Sequence, residues 1–238
     1  MVAGTSPALD REQPTRRIAR MPEADRRTAI ASLHCGLMDR RLVFVAGPSG
    51  SGKSRLVLRS GLPQVRLDDF YHDADHPGLP QTLGIPDWDD PATWNGAAAV
   101  EALSELLATS RTHTPDYSIP ESRKIGEKEL VVPEDAPVVL AEGIFAIEAL
   151  PLARAAGLEA SGLYLDRPGA LVAWYRLRRD LRQKRKSPWV LVRRGLALWR
   201  AQGALRRKAL ANGFEALSYA DAEARLGGLT APASSTGR

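Results

Sequence analysis

A single cysteine, Cys35, stands among 238 residues, so the chain can close no internal disulfide. With His34 as its only near companion, it has too few ligands around it for a metal site. Long apolar runs are also missing: none approaches the ~18 residues that a membrane span needs. The opening stretch MVAGTSPALDREQPTRR has no continuous apolar core between a basic start and a small-residue cleavage site, as a secretory signal would have. These absences lead to the expectation of a cytoplasmic protein with no membrane partner. The composition, 44% hydrophobic and 26% charged, is that of a globular chain long enough to bury a substantial core. The expected domain organisation is a flexible arm over 1–22, one domain over 23–226 and a flexible tail over 227–238.

Acidic residues are nearly absent from one stretch. Between Arg176 and Lys208 ten Arg and three Lys face one acid, Asp180, a net +12; the rest of the chain holds 20 basic and 27 acidic residues, or −7, within an overall +5. A basic segment on a mildly acidic body suits a lid over polyphosphate, and equally a nucleic-acid face.

The chemistry is announced by Arg41 to Ser54, RLVFVAGPSGSGKS, where a run of β-formers breaks into a glycine loop ending in Lys-Ser. Gly47, Gly52, Lys53 and Ser54 satisfy G-x-x-x-x-G-K-[ST], and Leu42 to Ala46 supplies the buried strand that must precede it. Glycines at 47, 50 and 52 let backbone N–H groups curl around phosphate oxygens, and the helix starting near Lys53 adds its positive end. Ser49 and Ser51 complete the loop. Lys53 is placed to reach the β- and γ-phosphates and Ser54 to ligate Mg²⁺.

Upstream, Ala29, Ile30, Leu33 and Leu37 fall at helical spacing within residues 23–38. Downstream, the pattern predicts a helix over Lys53–Arg59 closed by Ser60-Gly61, then a short strand Gln64–Leu67 running into Asp68-Asp69-Phe70-Tyr71. A long loop follows over His72–Asn95, then a helix over Ala97–Leu107. Thr112–Leu130 is polar and proline-punctuated, a β-ribbon or irregular excursion. Val138–Ala141 and Gly162–Leu165 read as core strands. Two helices, from Pro168 to about Gln183 and from Ser187 to about Asn212, flank the basic corner Lys184-Arg185-Lys186, and Leu217–Ala220 reads as a last short strand. Strands alternating with helices around a phosphate loop imply an α/β fold: three layers, with a parallel sheet between helices.

Once the loop is set beside Asp68-Asp69-Phe70-Tyr71, Asp89-Asp90-Pro91, Pro115-Asp116-Tyr117, Ala141-Glu142-Gly143-Ile144 and Arg179-Asp180, the order and spacing resemble the uridine/cytidine kinases. These belong to the phosphoribulokinase/uridine kinase family of P-loop kinases. The resemblance runs over roughly residues 41 to 221. It implies a nucleoside-kinase-like P-loop domain with a basic helical lid at about 176–194, and transfer of the γ-phosphate of ATP or GTP to a nucleoside 5′-hydroxyl. It also implies roles by position. Asp68 matches the general base, Ser54 and Glu142 the Mg²⁺ neighbourhood, Asp89 the carboxylate on the ribose hydroxyls and Tyr117 a base-pocket aromatic. Tyr71 and Trp88 join them as candidate acceptor-binding residues. Arg176 and Arg179 match lid arginines on the ATP phosphates, with Lys184 and Lys186 alongside.

The sequence departs from that pattern in the lid and in the base pocket. Lys184 and Lys186 stand where the family has arginine, keeping charge but losing the bidentate fork, and Arg185 stands where glycine is usual. After Tyr117 the segment is one residue shorter and lacks the family's histidine; Ile119 replaces an aromatic and Arg194 a glutamine. His72, His76 and His113 read as exposed loop histidines, and Arg193, Arg194, Arg206 and Arg207 as a solvated helix face. A polar site discriminates by pairing specific donors and acceptors, so these losses touch the identity of the base more than phosphoryl transfer. Three readings remain open: a nucleoside kinase, a related kinase acting on a pantothenate-like or sugar-phosphate alcohol, and a nucleotide-dependent switch using the basic surface. Asp68 and Asp89 argue against the switch, which needs neither a base nor a hydroxyl clamp, and so against a nucleic-acid partner. A small-molecule acceptor is expected, and a homo-oligomer stays open.

Overall fold

In the computed structural model, residues 40–82, 84–169, 172 and 202–230 are described. The chain divides into a unit Met1–Leu37 and a unit Met38–Arg238. The first unit, the expected arm and helix at 23–38, and the whole of the expected lid at about 176–194 lie outside the described residues.

Five strands form one sheet: β1 (Arg41–Ala46), β2 (Gln64–Arg66), β7 (Val138–Glu142), β8 (Ala160–Leu165) and β9 (Phe214–Leu217), all parallel, in the order β2-β7-β1-β8-β9. Every crossover returns the chain to the same end, so the loops after all five strands gather along one edge, where open parallel sheets bind ligands. The expected α/β fold with a parallel sheet flanked by helices is borne out.

The strands are continuous apolar runs because both faces are covered. Alternation sorts them: Leu42, Phe44, Ala46, Val139 and Ala141 pack in one cluster with Leu103 and Leu106 of helix α2 (Gly96–Thr109) and Ile147 and Leu150 of α3 (Ala146–Ala155). Val43, Val45, Val138 and Leu140 pack in another with Leu56 and Val57 of α1 (Lys53–Ser60) and Leu226 of α5 (Tyr219–Thr230). Each fully buried Leu or Ile stabilises by about 1.5–3 kcal/mol, so a one-residue slip in register would be prohibitive.

Local chemistry sets the ends. Helix α2 starts where the Asn95 side chain accepts from the Ala98 N–H and stops at Ser110 in the left-handed region; α1 is closed by left-handed Gly61. The excursion at 112–130 is a ribbon: β5 (Arg111–Ser118) pairs antiparallel with β6 (Arg123–Val131), with a bulge at Asp116/Tyr117, as a two-stranded sheet of its own. The loop at 72–95 carries a small hairpin, β3 (Gln81–Thr82) with β4 (Ile85–Pro86), and a 3-10 turn Pro91–Thr93 capped by Asp90.

The C-terminal portion differs from expectation. The last strand begins at Phe214, three residues earlier than expected, because Phe214 packs directly against Gly162 of β8. Tyr219 then opens α5, which runs through Gly227 and Gly228 to Thr230 where a tail was expected, held by buried Ala222 and Leu226. Of the helix expected from Ser187 to about Asn212, residues 202–211 are described and are helical (α4).

Candidate active site

The phosphate loop leaves β1 at the sheet's loop edge. Gly47 has φ +148°, and a Cβ there would meet the Leu165 carbonyl at 3.0 Å; Gly50 and Gly52 are also at positive φ, so all three glycines are required by backbone geometry. Lys53 is buried and its Nζ donates to the Gly47 carbonyl at 2.7 Å and the Pro48 carbonyl at 3.4 Å, lying back across the loop. The Ser51 hydroxyl is buried without a hydrogen-bond partner among the described residues, an orphaned donor inside the cradle. Ser49 lies exposed on its rim.

Two carboxylates approach the loop from neighbouring strands. Glu142 ends β7, paired with Val45 of β1 on one side and Arg66 of β2 on the other, and its Oε2 accepts from the Ser54 hydroxyl at 3.3 Å. Asp68 sits in a 3-10 turn, Leu67–Phe70, just past β2; its Oδ1 accepts from the Ile144 N–H at 3.0 Å. Burial raises both carboxyl pKa values. For Asp68, the Ile144 amide, Lys53 and Arg66 offset the rise in part; for Glu142, the Asp68 charge adds to it.

Close approach of the two segments needs Gly143. A Cβ there would lie 2.6 Å from Asp68 Oδ1 and 2.8 Å from Leu67 Cβ. Sequence reading placed this glycine in the Ala141-Glu142-Gly143-Ile144 motif without this contact, since the contact spans the turn after β2 and the turn after β7.

Tyr71 is the hub of an aromatic cluster. Its ring meets Trp88 edge-on at 5.4 Å, Tyr117 at 5.8 Å and Phe145 edge-on at 5.6 Å, and Phe145 stacks on Trp94 at 5.5 Å. Burial pushes the Tyr71 hydroxyl well above the usual phenol range, and the charges of Asp68 and Asp89 add to it, so both carboxylates act on this one ring. The expected acceptor set, Tyr71, Trp88, Asp89 and Tyr117, therefore converges beside the expected base. The Tyr71 hydroxyl donates to the Trp88 carbonyl at 3.0 Å and the Tyr117 hydroxyl to the His72 carbonyl at 3.1 Å. Burial, with the Asp73 charge, raises Tyr117 to about 12. His72 is half-buried rather than exposed, its ring 4.1 Å from that of His76. Phe145 and Trp94 were missed by sequence reading. Trp94 also anchors the Asp68 turn, its Nε1 donating to the Leu67 carbonyl at 2.9 Å.

Arg176, Arg179, Lys184 and Lys186 lie outside the described residues. Among the described residues no group of three or more His, Cys, Asp or Glu could hold a metal. Mg²⁺ needs no such group, since it takes one or two protein oxygens and completes its shell with water and phosphate. Ser54 and Glu142 are a hard oxygen pair of that kind, and a buried carboxylate beside a second one favours a cation.

Phosphate loop, five-stranded parallel sheet and paired carboxylates at its edge are the makings of a P-loop small-molecule kinase. No family model matches the chain. It is a distant homologue of a curated uridine kinase of Tolumonas auensis, 25% identical over 158 residues, covering 61% of this chain and 71% of that protein. A solved structure from Silicibacter sp. TM1040, provisionally named a fructose transport system kinase, superposes with a TM-score of 0.51 at 20% identity, over 83% of this chain and 98% of that one. One from Bacillus stearothermophilus, provisionally named a uridine kinase, gives 0.38 at 18% identity, over 70% and 98%. No helix among the described residues is long and apolar enough to cross a membrane.

Proposed function

We propose that the protein is a kinase that transfers the γ-phosphoryl group of ATP or GTP to a primary hydroxyl of a nucleoside or a related sugar-containing metabolite. The observation that carries this reading is the convergence of Asp68, Glu142, Ser54 and Lys53 on one edge of the sheet, with the Tyr71 cluster next to them.

Phosphoryl transfer asks a protein mainly for positioning and charge compensation. Gly47 to Ser54 would cradle the β- and γ-phosphates, with Lys53 turning from the loop carbonyls to phosphate oxygen. Ser54 and Glu142 would hold Mg²⁺, which would supply charge neutralisation at the phosphates. Arg176, Arg179, Lys184 and Lys186 are proposed to close over the phosphates. Asp68 takes the proton of the acceptor hydroxyl as its oxygen bonds to the γ-phosphorus and the bond to the β-phosphate oxygen breaks, leaving phosphorylated acceptor and ADP or GDP. Its raised pKa makes it a stronger base than an ordinary aspartate. Asp89 would hold the acceptor's other hydroxyls, with Tyr71, Trp88 and Tyr117 as its apolar wall.

A second reading, a pantothenate-like or sugar-phosphate alcohol as acceptor, is favoured by a specific observation. Both phenols of the pocket donate to main-chain carbonyls and so have no proton left to offer a pyrimidine carbonyl. A phosphoryl-transfer screen over nucleosides, sugars and other metabolite alcohols separates the two. Nucleotide titration of Lys53→Ala, with circular dichroism to check the fold, tests the common core. The variant is expected to lose productive Mg-ATP binding while folding normally. A variant that binds and turns over like the parent overturns the phosphate-loop assignment.

A further inference from the structure

The residue beside the proposed base is buried and doubly gripped. The Asp69 side chain is 6% exposed, its Oδ2 lies 2.9 Å from Lys128 Nζ and its Oδ1 3.6 Å from Arg66 Nη2. Lys128 comes from β6, opposite Thr114 of β5, and also reaches Asp116 Oδ1 at 3.5 Å. A buried carboxylate tolerates little loss of its partners, so this contact pins the segment that carries it.

Asp68 and Asp69 are successive residues of the four-residue turn Leu67–Phe70. The turn is fixed at its start by the Trp94 indole on the Leu67 carbonyl, and at its end by the Asn95 N–H on the Phe70 carbonyl at 2.9 Å. Between those anchors, side-chain contacts hold both carboxylates: Lys128 and Arg66 on Asp69, and the Ile144 N–H on Asp68. Rotating the turn to loosen one would displace the other.

We propose that Lys128 is a positioning residue, which grips Asp69 and thereby sets the orientation of Asp68 toward the acceptor hydroxyl. The same hairpin carries Tyr117, so one ribbon ties the wall of the acceptor pocket to the turn of the base. The inference rests on the reading of Asp68 as base. It gives β6 a task that its exposure disguises, since all but one of its residues are exposed.

The test uses the full chain with Lys128→Met and Lys128→Arg and reads two quantities. The first is hydrogen exchange at the Ile144 amide, which reports the Asp68 contact directly and needs no acceptor. Lys128→Met is expected to speed that exchange by about tenfold or more while the β1 amides Leu42 to Val45 keep parent protection. The second is turnover on the acceptor found in the screen. Here kcat is expected to fall roughly 10–100-fold, with ATP KM within about twofold, and Lys128→Arg is expected to restore most of both readouts. Parent-like Ile144 exchange and kcat in Lys128→Met overturn the proposal; so do equal losses in the Met and Arg variants. Should Lys128→Met not fold, Asp69→Asn removes the same grip from the other side and is read in the same way. Asp68→Asn runs alongside. If it keeps full kcat, the base assignment fails, while Ile144 exchange still decides whether Lys128 holds the turn.

Discussion

Two aspartates of the site, 21 residues apart, should fail in different ways when neutralised. As the proposed base, Asp68 would meet the acceptor proton only as the phosphoryl group moves, so Asp68→Asn is expected to lower kcat by roughly 10²–10⁴ with little change in ATP KM. Asparagine keeps an oxygen to accept from the Ile144 N–H, so the turn should hold. Asp89 is exposed and is proposed to hold the acceptor's hydroxyls, so Asp89→Asn should mainly raise the acceptor KM. Steady-state kinetics on the identified acceptor, with both substrates varied, checks the contrast. An Asp68→Asn enzyme running at full rate would sink the mechanism. Asp69 could not then inherit the role as it stands, because its carboxylate is already taken up by Lys128 and Arg66.

At the scale of elements, two glycines make a matched pair. A Cβ at Gly143 would come within 2.6 Å of Asp68 Oδ1, and one at Gly162 within 2.6 Å of Phe214 Cδ1 and 2.9 Å of Leu150 Cδ2. Both Gly→Ala changes overpack and should cost about 1–3 kcal/mol of stability, but only Gly143→Ala should also lower kcat, because only it pushes on Asp68. Denaturant titration and kinetics on both variants check this; equal kcat losses would mean that the effect travels through stability alone. Neither contact is written in the sequence near the glycine concerned. The phosphate loop was legible because its constraint is local: three glycines at fixed spacing between a strand and Lys-Ser. The polar ribbon at 111–131 was half legible, its turn chemistry visible but its pairing not. Helix α3 was not read at all. Pro151 interrupts its pattern, and what holds the helix is burial of Ala146, Ile147, Ala149, Leu150 and Ala153 against a sheet that only the fold assembles. Gly227-Gly228 pointed to a tail for the same reason in reverse: packing of Leu226 outweighs poor helix propensity. The carboxylates of the site could be picked out, but their partners Ile144 and Lys128, and the Phe145 and Trp94 rings beside them, are brought there only by the fold.

Across the whole molecule, the parallel sheet gathers Asp68 and Glu142 at one edge, Glu142 buried and Asp68 half-buried, and this is expected to leave a signature in stability. Each carboxyl is held above its ordinary value of 3.8 or 4.5, chiefly by burial. The folded protein therefore keeps these protons to higher pH than the unfolded chain, and their contribution to stability is present below the ordinary values and lost as pH rises through the folded ones. Above those folded values both groups are anions held at a cost to stability. Replacing them with Asp68→Asn and Glu142→Gln should remove the strain, so the double variant without nucleotide is expected to be more stable than the parent near neutrality. That advantage should shrink toward zero as pH falls to about 4. Denaturant unfolding at several pH values measures it, and a parent-variant difference that does not change with pH would refute the assignment of these two groups as the strained pair. Adding Mg-ATP should reverse the order. In the parent, Ser54 and Glu142 would then hold the metal and binding would stabilise the fold by about 2.7 kcal/mol at a hundredfold excess over Kd, whereas the variant, stripped of the carboxylate proposed to hold Mg²⁺, should gain much less.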